Sequence, residues 1–204
     1  MRSGVILAGG RSTRFGEDDK AVAPLAGTAM IRRVADRLEP VVDEVVVNCR
    51  ADQREAIGGA MEGYPDAVRF AFDERVDRGP MAGIHDGLRA AEGTYAAVVA
   101  CDMPFVDPDF IAYLFERAGG HDAAVPRLED RWFQTTQAVY RADVMADACA
   151  AALDRGERKI LDALFELEYV VVDEPAVETH AGPDTFRNVN TREELERAAA
   201  ALEG

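Results

Sequence analysis

The chain has 204 residues, enough for one α/β domain and too few for two full ones. Hydrophobic residues make up 48%, which excludes a disordered chain, and no apolar run approaches the roughly 18 residues of a membrane-spanning helix. The net charge of −15 argues against nucleic acid as a partner, because its phosphate backbone would be repelled.

The opening segment, Gly4–Ala8, reads as a strand running into Leu7-Ala8-Gly9-Gly10-Arg11-Ser12-Thr13-Arg14-Phe15-Gly16, with Lys20 shortly after. Its apolar stretch is too short for a secretory signal, so a cytoplasmic protein with no membrane partner is expected. Adjacent glycines let the backbone approach a ligand closely, and successive amides can then surround phosphate oxygens. Arg14 and Lys20 supply the countercharge. Only Lys20 and Lys159 are lysines among the 23 basic residues, so a lysine at this place is informative. The acids are spread along the whole chain, as on a solvated surface suited to high salt. Any phosphate site must therefore be built locally. Neither the P-loop pattern nor the dinucleotide fingerprint G-x-G-x-x-G fits. The plainer reading is a tight turn carrying surface arginines.

Further along, Ala29–Leu38 is a helical pattern with Met30, Ile31, Val34 and Leu38 on one stripe. Strands follow at Glu44–Asn48, Val68–Phe72 and Ala96–Cys101. These three are nearly all apolar, which predicts strands buried on both faces. Between and after them lie helices at Met81–Ala91, with Ile84 and Leu88 inward, and at Pro108–Arg117. Asp107 is the expected N-cap of the latter and Pro108 its first residue. Such alternation predicts βαβ units and a three-layer, doubly wound, mostly parallel sheet of Rossmann-like form. Ligands bind such sheets beyond the carboxyl ends of the strands. Three polar residues fall there: Asn48, Asp73 and Asp102. One carboxylate plus substrate phosphates is the usual way Mg²⁺ is held, and Asp102, stiffened by Pro104, is the best candidate. The plainer readings are a helix cap for Asp102 and a turn residue for Asn48.

In the second half, Ala123–Pro126, Gln134–Tyr140 and Tyr169–Val172 read as strands. Asp143–Asp154 and Lys159–Phe165 read as helices broken at Gly156. Arg192–Leu202 is a closing helix with Thr191 and Glu194 as a capping box. Residues 1–105 are expected to form a nucleotide-binding half and 106–204 an acceptor-binding half of one domain. Trp132 and Phe133 suit stacking on a flat ring, or equally packing at a domain edge. Asn188 and Asn190 alternate along an extended segment and so point the same way, toward one polar ligand or into turn chemistry. Gly156-Glu157-Arg158-Lys159 gathers basic residues that suit an acceptor phosphate. Cys49, Cys101 and Cys149 fit no disulfide or zinc spacing; Cys49 and Cys101, at strand ends, read as small core residues. The three histidines fit no metal spacing or triad.

The motif L-A-G-G-x-S-x-R-x-G-x-x-x-K resembles the signature of nucleotidyltransferases acting on molybdenum cofactor, and the best match is the MobA family of molybdenum cofactor guanylyltransferases. The resemblance extends through Cys101-Asp102-Met103-Pro104, Gly79-Pro80-Met81-Ala82-Gly83 and Asn188-Val189-Asn190-Thr191 to nearly the whole chain. It implies transfer of GMP from GTP, with Mg²⁺, to molybdopterin or molybdenum cofactor. By that resemblance Leu7, Ala8, Gly9, Gly10, Arg14 and Lys20 wrap the GTP phosphates. Asp102 holds the metal, Asn48 and Asp73 contact the nucleotide, and Gln134, Asn188 and Asn190 face the pterin. Gly9, where cytidylyltransferase relatives carry Ala, looks like the guanine-selecting form. Transient contact with other proteins of the cofactor pathway is implied as well. Thr135 and Thr136 depart from the family's Pro and Leu.

Three rival readings remain at this stage: CTP in place of GTP, another phosphorylated acceptor such as a sugar phosphate, phospholactate or cobinamide phosphate, and a nucleotide-binding regulatory module without turnover. Binding alone needs no metal at the α-phosphate, so the pairing of Lys20 with Asp102 favours an enzyme.

Overall fold

Val5 and Ile6 are neighbours in the first strand and both fully buried, yet they enter different cores. Alternate residues of a strand point to opposite faces, so the sheet must be covered on both sides. The computed structural model describes residues 1–10, 19–65, 68–72, 79–128 and 132–203. Its elements run β1 (Arg2–Leu7), β2 (Pro24–Leu25), β3 (Thr28–Ala29), α1 (Met30–Leu38), β4 (Glu44–Cys49), α2 (Arg54–Ala60), β5 (Val68–Phe72), α3 (Pro80–Ala90), β6 (Tyr95–Ala100), α4 (Pro108–Ala118), β7 (Ala123–Arg127), β8 (Gln137–Arg141), α5 (Ala142–Asp154), α6 (Ile160–Leu164), β9 (Tyr169–Asp173), α7 (Glu174–His180) and α8 (Arg192–Glu203).

The main sheet has seven strands in the order β5-β4-β1-β6-β8-β7-β9. All neighbouring pairs are parallel except those of β8, which runs antiparallel to both β6 and β7. Ile6, Val45, Val47, Ala97 and Val99 face one core with Ile31, Val34 and Leu38 of α1 and Phe110, Ile111 and Leu114 of α4. Val5, Val46, Ala96 and Val98 face the other with Met81, Ile84 and Leu88 of α3 and Met145 and Cys149 of α5. The expected three-layer, doubly wound sheet is therefore present. From β1 the chain winds outward through β4 to β5, then returns to place β6 on the other side of β1. The carboxyl ends of β1 and β6 thus flank the point where the winding reverses, which is where open α/β sheets bind ligands.

Several expectations are corrected. β5 was expected to be buried on both faces, but it is an edge strand with Phe72 39% exposed. Its apolar run resembled an interior strand because periodicity does not report position in a sheet. β8 begins at Gln137, not Gln134, because Thr135 and Thr136 form a turn. The β2–β3 hairpin, α2 and α7 gave no clear sequence signal. The hairpin strands are too short to alternate, although its turn holds Ala26 and Gly27 at positive φ, as a two-residue hairpin connection requires. Both expected caps are formed. The Asp107 side chain accepts from the Asp109 amide, and Thr191 and Glu194 bond reciprocally. Cys49, Cys101 and Cys149 are all buried. Among the described residues no helix is long and apolar enough to cross a membrane.

The small residues of α3 set how closely that helix approaches the sheet. A Cβ on Gly87 would lie 2.5 Å from Val5 Cγ1, and one on Gly83 would collide with Asn48 Oδ1. In an open helix Gly→Ala gains roughly 1 kcal/mol. In α3 the sign should reverse: Gly87→Ala is expected to lose about 1–3 kcal/mol in urea unfolding through overpacking. Gly58→Ala in α2, where a Cβ meets nothing within 4 Å, should instead gain. A gain at both positions would contradict this packing.

Candidate functional site

The parallel register sets Leu7 of β1 opposite Asn48 of β4 on one side and Ala100 of β6 on the other. Just past the strand ends, the Ala8 amide donates to Asn48 O at 2.8 Å and the Cys101 amide to Leu7 O at 3.0 Å. The start of the glycine-rich segment and the Cys101-Asp102 corner are thus held side by side by backbone hydrogen bonds. Hydrophobic burial on both faces of β1 and β6 makes this placement stiff.

Lys20 returns to the same corner. Its Nζ lies 2.9 Å from Asp102 Oδ2 and 2.7 Å from Asn190 Oδ1. The pair is partly shielded, with side chains 11% and 24% exposed. Lys20 opens a short 3-10 turn, Lys20–Val22, which Asp19 caps by accepting from the Ala21 amide. Asp102 Oδ1 is buried and has no hydrogen-bond partner among the described residues. A buried carboxylate oxygen without a partner is costly, so this atom is suited to a ligand that arrives with positive charge. No group of three or more His, Cys, Asp or Glu among the described residues is placed to hold a metal. The donor set therefore fits a hard cation held by one carboxylate, with its remaining positions left to the oxygens of a bound ligand.

Asn190 comes from the far end of the chain. Val189 is buried with Leu25, Met30 and Ala198, so the β2–β3 hairpin and α8 clamp this segment between them. The Val189 amide donates to Asp102 O at 2.8 Å. Glu194 Oε2 accepts from the Asn190 and Thr191 amides at 2.6 and 3.0 Å. Those two amides hold the Glu194 carboxyl below the usual carboxylate range. The capping box read from the sequence thereby fixes the backbone that carries Asn190.

Of the expected site residues, Leu7, Ala8, Gly9, Gly10, Lys20, Asn48, Asp102 and Asn190 lie along this one edge of the sheet. Asn48 is buried beneath α3, with its Nδ2 donating to Ala71 O at 3.4 Å. Asn188 is exposed, one residue before the buried Val189. Gln134 precedes the turn whose Thr136 O accepts from the Ala100 amide at 3.0 Å, so that turn borders the Asp102 corner. Arg14 and Asp73 lie outside the described residues. Phe133 is engaged edge-on with Phe165 and Tyr169, at 6.0 and 5.9 Å between ring centroids, while Trp132 is 68% exposed. The Arg158 carbonyl lies near Gly79, which at φ 79° opens α3. Sequence reasoning missed Arg50 and Gln53, in the turn after β4. Gln53 donates to Ala8 O and Arg50 to Gly9 O and Gly10 O. Their only sequence signal was their place just beyond a strand end.

Cys101 is buried, and that burial, reinforced by the neighbouring Asp102 carboxylate, pushes its thiol up to about 12. Burial alone does the same for Cys149. Thiolates are therefore scarce near neutrality, and neither cysteine is placed as a nucleophile. Accordingly, a thiol-specific disulfide reagent at pH 8 should label neither residue in the native protein and should reach both after denaturation. Fast native labelling of Cys101 would show the corner to be more open than this.

Residues 4–169 match the family of MobA-like NTP transferase domains. A protein of Natronomonas pharaonis named "Probable molybdenum cofactor guanylyltransferase" is 51% identical over 201 residues, covering 98% of each chain. A Haloferax mediterranei protein of the same name is 43% identical over 195 residues, covering 95% of this chain and 91% of its own. Among solved structures, the molybdopterin-guanine dinucleotide biosynthesis protein A from Archaeoglobus fulgidus superposes with a TM-score of 0.80 at 28% identity, covering 98% of both chains. A 2-C-methyl-D-erythritol 4-phosphate cytidylyltransferase from Thermus thermophilus shares the fold at 18% identity, with a TM-score of 0.72 over 100% of each chain.

Proposed function

The chain belongs to the MobA-like NTP transferase family, and from that premise we propose that it transfers GMP from GTP to molybdopterin or molybdenum cofactor, releasing pyrophosphate. The observation that carries this reading is the Lys20–Asp102 pair at the winding reversal of the sheet. A cation and an under-satisfied carboxylate sit there beside a glycine-rich strand end.

In the proposed reaction, an oxygen of the acceptor's terminal phosphate attacks the α-phosphorus of GTP in line. The new P–O bond forms as the bond to the bridging oxygen of pyrophosphate breaks, and that oxygen carries away the electron pair. The attacking phosphate is already an anion near neutral pH, so no general base is required. This agrees with the buried, protonated thiols and with histidines that fit no triad. The protein's work is then positioning and charge neutralisation. Amides of Gly9 and Gly10 meet phosphate oxygens, and Lys20 neutralises phosphate charge. Asp102 would hold Mg²⁺, which supplies Lewis-acid stabilisation of the charge that develops on the phosphates. Arg14 and Asp73 would add to the phosphate and nucleotide contacts. Gly9 and Asn48 would line the guanosine end. Gln134, Asn188 and Asn190 would face the pterin, and residues 106–204 would supply that half of the site. The hydrogen bond from Lys20 to Asn190 at 2.7 Å supports the reading that acceptor and nucleotide meet at this corner.

Incubation of the protein with molybdenum cofactor, Mg²⁺ and each of the four NTPs, followed by mass analysis, should yield the guanine dinucleotide form from GTP. Asp102→Asn should remain folded by circular dichroism and lose at least about 10²–10³-fold in turnover, the scale of one lost transition-state contact. Chelation of divalent cations should abolish product in the wild type. Normal turnover by Asp102→Asn would remove the metal assignment, and equal use of CTP would remove the nucleotide assignment.

A further inference from the structure

The turn between β4 and α2, Arg50–Gln53, takes no part in the mechanism above, yet it holds the glycine-rich strand end from behind. Gln53 is 3% exposed, and its carboxamide is fully engaged. Nε2 donates to Ala8 O at 2.9 Å and to Asp19 Oδ2 at 2.7 Å, while Oε1 accepts from the Arg50 amide at 2.9 Å. Ala8 is the residue before Gly9-Gly10, and Asp19 the residue before Lys20. One buried amide therefore ties the start of the phosphate-facing backbone to the turn that carries the site's cation. Arg50 adds a second arm: its Nη1 donates to Gly9 O at 3.3 Å and to Gly10 O at 3.0 Å. Asp52 steadies that guanidinium through two contacts at 3.0 and 3.1 Å.

The consequence follows from peptide geometry. In a trans peptide the carbonyl of one residue and the amide of the next point in opposite directions, and no cis bond occurs among the described residues. Drawing Ala8 O toward Gln53 and Gly9 O toward Arg50 turns the amides of Gly9 and Gly10 to the opposite side. An anion needs amides facing it and carbonyls facing away. Glycine peptides left to themselves flip readily, so the orientation has to be imposed from outside. An apolar side chain of the same size would fill the space under Ala8 equally well. What the Gln53 amide adds is the pair of directed bonds to Ala8 and Asp19.

We propose that Gln53, assisted by Arg50, is a positioning residue of the transfer reaction: it holds the Ala8–Gly10 carbonyls turned away from the nucleotide phosphates and sets the Lys20 turn against the same phosphates. The inference rests on the nucleotide-binding reading of this edge. It assigns the turn after β4 a role in triphosphate affinity, separate from the groups that touch the nucleotide.

The test compares full-length wild type with Gln53→Met, which keeps the size and removes the directed bonds, and with Arg50→Met. For each, calorimetric titration gives GTP affinity, competition gives the inhibition constant of pyrophosphate, and steady-state kinetics gives KM for both substrates. The expected result is that KM for GTP and the pyrophosphate constant rise together by about tenfold or more, the scale of one lost directed hydrogen bond. KM for the acceptor should stay unchanged, with the nucleotide-free melting temperature lowered only slightly. A merely structural role would lower the melting temperature and leave both phosphate-dependent constants of the folded protein as they were, which would overturn the proposal. Should Gln53→Met fail to fold, Arg50→Met on the more exposed part of the turn decides by the same criteria. If the wild type binds GTP and the variants bind it equally well, this inference alone falls. If the wild type binds neither GTP nor pyrophosphate, the nucleotide reading falls and takes this one with it.

Discussion

The parallel pairing of β1 with β6 is the constraint on which the site depends. Two strands separated by most of a hundred residues become neighbours because the winding reverses between them. Their registered hydrogen bonds then bring the glycine-rich strand end and the Asp102 corner to one edge. A backbone ladder buried on both faces is among the stiffest parts of a domain. Loops anchored at its end inherit that precision. The hairpin, α8 and the turn after β4 are supports built around this fixed edge.

Electrostatics gives the edge its chemistry. In a chain of net charge −15, long-range attraction cannot concentrate an anionic substrate, so affinity has to come from short-range, partly desolvated contacts. Lys20 meets that need. Asp102 and Asn190 hold its ammonium in place without burying an unpaired charge. In the proposed reaction, an arriving triphosphate would offer Lys20 another anionic partner and would bring with it a cation suited to the unpartnered Asp102 Oδ1. Partners would be exchanged in that step, so the charges would be compensated both before and after binding. The Lys20–Asn190 hydrogen bond already gives the two ends of the chain a common junction.

Much of this was legible before folding was considered. Short apolar runs and period-3.6 patterns located β1, β4, β6, α1, α3 and α4, and the cap residues of α4 and α8 behaved as their chemistry requires. Lys20 and Asp102 stood out because their residue types are unusual at their positions. The hairpin, α2 and α7 escaped notice because elements so short carry too little periodicity to register. The edge position of β5 was hidden for a related reason, since an apolar run looks alike at the centre and at the rim of a sheet.

By itself the sequence determined most of the longer strands and helices, which strand ends carry glycine and aspartate, and the family to which the chain belongs. These are local properties: hydrophobic period, turn chemistry and the identity of residues at fixed spacing. Only the tertiary structure decided that Lys20 bonds Asp102 and Asn190 together, that Gln53 and Arg50 grip the carbonyls of Ala8–Gly10, and that Val189 anchors the C-terminal segment against the hairpin. Each joins residues far apart along the chain. Such contacts depend on strand order and register, which no local pattern encodes.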